Sequence, residues 1–172
     1  MALTVEQSGV LWGALDGHGG SSGQEGVVTV LLLGTYWPRL DDKGRMFLPA
    51  KFRETFRGGL VMTRGQDHCL YVYPMAEFEK LAERWQSAPT TNADVRAHQR
   101  LLLSGASDET PDKQGRVTVP AVLRDYAGLT HECTVIGSGN RLEIWDSQAW
   151  ETYVANHEEG YANQSEEVVP GL

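Results

Sequence analysis

The sequence lacks the features that mark membrane and secreted proteins. The apolar stretch 27–33 is interrupted by Thr29 and is far too short to cross a bilayer. The first thirty residues contain no Lys or Arg, so the basic start of a secretory signal is missing. The only two cysteines, Cys69 and Cys133, lie in apolar, strand-like contexts, which predicts free thiols in a reducing compartment. We therefore expect a cytoplasmic protein with no membrane partner.

Patterns typical of enzymes and metal sites are scarce as well. His68-Cys69 and His131-x-Cys133 invite a metal or nucleophile interpretation, but no CxxC pair or HExxH accompanies them. Structural zinc takes four ligands at tight spacing, so neither pair suffices. Tryptophans and tyrosines at helical spacing are more typical of a core than of a base-stacking platform. The sequence thus predicts no enzyme, no cofactor, no metal and no small-molecule substrate.

The charge distribution favours a polyanionic partner despite an acidic total. The net charge is −8, which by itself argues against nucleic acid. Residues 1–30 contain three acids and no bases, and residues 88–172 contain thirteen acids and six bases. Residues 31–87 carry nine bases and seven acids, and six of those bases lie between residues 39 and 57. Because the local field decides where a polyanion docks, this segment is a candidate DNA-binding surface.

An internal repeat organises the chain. Residues 41–54 align with residues 112–125 at an offset of 71, with six of fourteen positions identical. Each copy predicts a turn, a short strand, a short helix beginning at a proline (Pro49 or Pro120), two further strands and a longer helix. We place the two domains at residues 35–77 and 106–149. A linking helix is expected over 93–103.

The ends of the chain are predicted to be irregular. Residues 17–23 have the Gly-Ser composition of a flexible linker. We interpret residues 1–30 as a disordered extension or as a translation start placed too far upstream. Residues 157–172 are predicted to form an acidic, frayed tail.

The residues that carry chemistry are two Asp-x-x-x-Arg turns, Asp41 to Arg45 and Asp112 to Arg116. Glycine in the penultimate place lets the backbone turn tightly, so each Arg begins a strand with its guanidinium directed at phosphate or at a guanine edge. A purely structural interpretation is that Asp and Arg only stabilise the turn through an exposed ion pair. Recurrence at the same place in both copies favours the functional one. Further candidate contacts near the first turn are Arg39, Lys43, Lys51 and Arg53.

The second copy replaces two of these bases. Gln114 stands where the first copy has Lys43, and Val122 stands where it has Lys51. We therefore expect the first copy to dominate contact with double-stranded DNA.

Several motifs resemble the MraZ family in order and spacing over about residues 31–161. They are GTYWPRLDDKGR at 34–45, LPAKFR at 48–53, TRG at 63–65, LYVYP at 70–74 and DKQGRVTVP at 112–120. The resemblance implies an α+β fold of two tandem SpoVT-AbrB swapped-hairpin β-barrel units, each with a short and a longer helix. It also implies a ring-shaped homo-oligomer associated with the nucleoid. Such a ring binds direct repeats upstream of the division and cell-wall genes, usually as a repressor.

The same resemblance assigns roles to the turns. Arg45 and Arg116 match the Arg of the family's DNA motif, and Asp41 and Asp112 match its acid. A ring that presents the same turns at regular spacing would gain affinity from several weak contacts at once. An antitoxin-like or partner-binding module of the same fold class remains the alternative, because fold does not fix function.

Overall fold

The computed structural model describes residues 31–88 and 91–164, where it shows a mixed α+β fold with eight strands and four α-helices. The predicted extension at residues 1–30 lies outside the described residues. The strands are β1 (Leu32–Tyr36), β2 (Arg45–Phe47), β3 (Leu60–Arg64), β4 (Leu70–Pro74), β5 (Ser107–Glu109), β6 (Arg116–Thr118), β7 (Cys133–Gly139) and β8 (Leu142–Asp146). The helices are α1 (Met75–Ser87), α2 (Ala93–Ser104), α3 (Ala121–Tyr126) and α4 (Ser147–Ala162).

The two copies of the repeat have matching elements, with one difference at the short helix. Pro120 is the N-cap of α3, and Pro49 occupies the same place before a 3₁₀ turn, Ala50–Phe52. We predicted both prolines at the first helical position, and that prediction was wrong by one residue. Their ψ angles of 133° and 141° are extended, as an N-cap requires.

Strands of both copies are interleaved in one antiparallel sheet of order β1-β7-β8-β4-β3-β5. Each copy keeps its own hairpin, β3–β4 in the first and β7–β8 in the second. The hairpins meet where β4 pairs with β8. The outer strands are exchanged, since β1 of the first copy pairs with β7 and β5 of the second pairs with β3. Neither copy therefore completes its own part of the sheet.

A separate two-stranded ribbon also joins the copies, because β2 pairs antiparallel with β6. Met46 lies opposite Val117 at its centre, and both are 1% exposed on the inward face. They belong to one apolar core that includes Phe56 and Leu123. Burying these side chains fixes the ribbon against the sheet, so its other face must point outward.

A partly buried ion pair lies where the two hairpins meet. The Arg141 guanidinium is 2.8 Å from Glu143 Oε1, and the Trp145 indole donates to Glu143 Oε2 at 3.3 Å. Arg141 also stacks on the Tyr71 ring at 4.2 Å. Glu143 lies opposite Tyr71 in the β4–β8 register, so this cluster ties the copies together.

A longer helix closes each copy as predicted, with one correction at the C-terminal side. The Asp146 carboxylate caps α4 by accepting from the amides of Gln148 and Ala149. The helix continues to Ala162, so residues 157–162 are helical rather than frayed. Within this stretch the His157 ring stacks on Tyr153 at 4.2 Å between centroids, one helical turn away.

No helix in residues 31–88 and 91–164 combines the length and the apolar character needed to cross a membrane.

Candidate nucleic-acid interface

The first Asp-x-x-x-Arg turn is a closed loop in which one carboxylate organises both backbone and side chain. Asp41 Oδ1 accepts from the backbone amides of Lys43 and Arg45, each at 2.9 Å. Asp41 Oδ2 accepts from Arg45 Nε at 2.9 Å and lies 2.7 Å from Arg45 Nη2. Gly44 makes the turn possible with a φ of +73°. The Arg45 guanidinium is thus held by one edge, and its remaining N–H groups are left for a ligand.

The second turn repeats this geometry. Asp112 Oδ1 accepts from the amides of Gln114 and Arg116 at 2.9 Å each. Arg116 Nε and Nη2 both lie 2.8 Å from Asp112 Oδ2. Gly115 has a φ of +78°. The pairing is therefore a property of the repeated motif rather than of one copy.

These contacts perturb the acids. The hydrogen bond from the Arg45 side chain, followed by that from its amide, lowers the pKa of Asp41 from 3.8 to about 2. The amide of Arg116, followed by its side chain, lowers the pKa of Asp112. Both carboxylates are thus ionised at neutral pH, and each partly neutralises and orients its Arg.

The ribbon brings the two arginines to one surface. Arg45 lies opposite Thr118 and Phe47 lies opposite Arg116. Directly opposed residues of an antiparallel pair share a face, and so do residues two apart. Since Met46 and Val117 are buried, Arg45 and Arg116 both leave the outward face, at diagonal corners.

Each turn is backed by an arginine of the other copy. A Cβ on Gly44 would lie 2.8 Å from Arg124 Cζ, and one on Gly115 would lie 2.8 Å from Arg53 Nε. Both arginines are anchored alike, Arg53 Nε by the Leu48 carbonyl at 3.3 Å and Arg124 Nε by that of Val119 at 3.1 Å. The guanidinium groups therefore cross between the copies.

Because these arginines lie at the opposite copy's turn, the basic residues that cluster in the sequence are distributed over both turns in the structure. Arg53 and Arg57 line a cleft with residues 111–115 of the second copy, so they belong to the second turn. Arg124 lies beside Asp41 and Asp42 at the first turn. The described structure places basic charge at both turns and does not gather it at the first.

The other predicted residues are dispersed. Lys43 is exposed within the first turn. Arg39 forms an exposed ion pair with Glu132 at 2.7 Å, with 78% of its side chain accessible. Lys51 is exposed, and its Nζ lies 5.9 Å from the Phe52 ring centroid. Of these three residues, only Lys43 lies in the same turn as Arg45, and Arg39 is paired with an acid.

The histidine and cysteine pairs do not converge in the described part of the chain. No group of three or more His, Cys, Asp or Glu side chains within residues 31–88 and 91–164 is arranged to hold a metal ion. Burial raises the pKa of the Cys69 thiol, and it raises the pKa of Cys133 to about 12. Both thiols are therefore protonated at neutral pH and are poor nucleophiles.

One protein-family model matches the whole of the chain that the structure describes. The family model described as "MraZ protein, putative antitoxin-like" matches twice, over residues 31–101 and 102–170. The chain belongs to the MraZ family. The paired match agrees with the repeat at an offset of 71, and the resemblance noted in the sequence is confirmed.

Several curated MraZ proteins are close relatives. Two named "Transcriptional regulator MraZ", from Saccharopolyspora erythraea and Leifsonia xyli subsp. xyli, are each 58% identical over 142 residues. A third of that name, from Micrococcus luteus, is 56% identical over the same length. Each alignment covers 83% of this chain and 99% of the relative.

Arg124 is a residue of this MraZ chain that the sequence interpretation did not include in the site. It aligns with Arg53 at the repeat offset, which is the signal that could have identified it. Its position at the opposite copy's turn could not be read from the sequence, because that contact depends on the pairing of β2 with β6.

Proposed function

We propose that this chain is a sequence-specific, DNA-binding transcriptional regulator whose contact surface is the β2–β6 ribbon with its two turns. The proposal rests mainly on one observation: Arg45 and Arg116, each held by its aspartate, lie on the same outward face of the ribbon. The names of the MraZ relatives support it, since they describe transcriptional regulators.

The ribbon has dimensions that suit a DNA groove. The major groove of B-DNA is about 12 Å wide and admits a two-stranded β-ribbon. Arg45 and Arg116, each held by its aspartate, would present the free edge of a guanidinium to guanine O6 and N7. Fixing the side chain beforehand lowers the conformational entropy lost on binding.

Residues around the turns would contact phosphates. Lys43 and Arg124 would serve the first turn, and Arg53 would serve the second. We retain Arg39 and Lys51 as weaker candidates at the periphery. Such contacts set register and salt dependence, and the guanine contacts set sequence.

The exchange of strands between copies supports the finer interpretation that the two units are SpoVT-AbrB swapped hairpins. Unburied apolar surface supports a homo-oligomer, for which we propose the family's ring. Leu101 is 62% exposed on α2, and the apolar stripe of α1 is only half-buried. A ring would offer several ribbons to direct repeats upstream of division and cell-wall genes, and it would associate with the nucleoid as a repressor.

The test uses full-length protein and DNA from upstream of its own gene, with salt titrations. Arg45→Ala should weaken binding by roughly 1–3 kcal/mol, or about 5- to 150-fold. Because both turns have the same geometry and both have basic neighbours, we expect Arg116→Ala to lose a comparable amount. Arg100→Gln is the charge-matched control, since Arg100 is exposed on α2, whose main packing partner is β3.

The outcomes separate this role from the alternative. Size-exclusion chromatography should show an unchanged oligomer for each variant. Unchanged DNA affinity in both turn variants would defeat the proposal. Copurification of a toxin-like protein, lost in the same variants, would favour the antitoxin-like module that the family description mentions.

A further inference from the structure

The outward face of the ribbon carries an exposed aromatic side chain between the two arginines. Phe47 lies opposite Arg116 and is two residues from Arg45, so all three share that face. Half of its surface is accessible, at 50%, although its neighbour Met46 is 1% exposed. The fold does not bury Phe47, and a guanidinium held by its aspartate lies on either side of it.

The face has two-fold symmetry in its backbone but not in its side chains. The repeat offset relates Arg45 to Arg116 and Phe47 to Thr118, and the β2–β6 register places this symmetry at the Met46–Val117 pair. The arginines are identical across the axis. The other corners are not, because one carries a phenyl ring and the other a hydroxyl and a methyl group.

We propose that Phe47 is a specificity-determining residue that contacts the C5-methyl group of a thymine and so gives the ribbon a fixed polarity on DNA. This inference rests on the proposed function. The thymine methyl is an apolar group on the floor of the major groove, and phenylalanine is among the residues that contact it.

The flanking charges select DNA over a second copy of the chain as the occupant of this surface. Arg45 and Arg116 each keep guanidinium N–H groups that their aspartates do not take, and these match phosphate and guanine acceptors, whereas the aspartates of a second copy are already paired. Directly opposed residues in such a ribbon lie about 5 Å apart, so the thymine would lie within about two base pairs of the Arg116 contact.

The proposal is tested by removing only methyl groups from the DNA. Each thymine in the footprinted duplex is replaced singly by deoxyuridine, and affinity is measured by fluorescence anisotropy with full-length protein. For the wild type, replacement at one or two positions should weaken binding about fourfold each, the value of about 0.8 kcal/mol per buried methyl-sized group. For Phe47→Ser, which has no methyl group to replace the phenyl contact, the thymine and uracil duplexes should bind equally at those positions.

Two further variants sharpen the test. Thr118→Phe should create a new sensitive thymine at the position related by the two-fold axis. Val122→Thr is the control, because Val122 is 59% exposed on α3 outside the ribbon, and it should keep the wild-type sensitivity.

The outcomes distinguish this inference from the proposed function. Wild-type protein that binds the promoter without any uracil-sensitive position overturns the role of Phe47 alone. The same holds if Phe47→Ser keeps the sensitivity, or if it changes the oligomer instead of the selectivity. Wild-type protein that binds no duplex overturns both.

Discussion

Alanine substitution of three glycines separates the conformational role of the first turn from its role in positioning Arg124. Gly44 has a φ of +73°, and a Cβ there would lie 2.8 Å from Arg124 Cζ. Gly128 has a φ of +58° with no atom within 4 Å of its Cβ position. Gly58 has open space and no positive φ. An alanine at Gly44 therefore meets both backbone strain and a steric clash, an alanine at Gly128 meets backbone strain alone, and an alanine at Gly58 meets neither.

The expected stabilities follow from these geometries. A left-handed conformation costs an alanine about 1–2 kcal/mol, and the lower entropy of the unfolded chain returns about 0.4–1 kcal/mol. Gly128→Ala should therefore lose about 1 kcal/mol in the free energy of unfolding, and Gly58→Ala, which has no strain to offset the entropic term, should gain about 0.4–1 kcal/mol. Gly44→Ala should resemble Gly128→Ala, because the clashing atoms are the far end of a flexible side chain that can move.

DNA binding should divide the two strained variants. In Gly44→Ala the Arg124 guanidinium must shift away from the turn, so affinity should fall and the salt slope should decrease by up to about one phosphate contact. Gly128→Ala should bind like the wild type. Stability is read by urea denaturation with tryptophan fluorescence at one protein concentration, and affinity by gel shift over a salt series.

A double variant provides the refutation. If Gly44→Ala acts through Arg124, then adding Arg124→Gln should weaken binding no further. The reasoning is refuted if Gly44→Ala and Gly128→Ala bind DNA equally well, or if the losses in the double variant simply add.

Three other predictions follow from the charged and buried groups. The lowered pKa of Asp41 means that its pairing with Arg45 persists above pH 3.8 and is lost only as the pH falls through about 2, which carboxyl-carbon NMR titration can check. Because burial raises the pKa of Cys133 and of the other thiol, Ellman's reagent should label the native protein far more slowly than the urea-unfolded chain. Glu143→Ala should destabilise the fold by roughly 3 kcal/mol in urea, since it leaves the half-buried Arg141 without its anion, whereas a loss under 1 kcal/mol would contradict this role.

The sequence predicted the individual helices and strands of this fold better than it predicted which strands pair with each other. The helix at 93–104, its cap at Asn92 and the paired hairpins all depend on local signals such as capping residues and apolar periodicity. The order of strands depends on long-range pairing between the copies, for which a single sequence contains no direct signal. The helical state of residues 157–162 was missed because their acidic composition does not reveal the stacking of His157 on Tyr153.

The candidate site shows the same division. The turns at Asp41 and Asp112 could be predicted because Asp and Gly at fixed spacing specify them. The local clustering of basic residues also pointed to Arg53 as a candidate base. Its location at the other copy's turn follows from the register of β2 with β6, which only the structure provides.

The reciprocal exchange of β1 and β5 means that neither half of this chain is a self-contained building block. A substitution that loosens one half exposes an unpaired strand edge on its twin. This arrangement limits how far the two halves can diverge in sequence. Arg53 and Arg124 each contact the turn of the opposite half, so each arginine must continue to fit a turn that the other half forms.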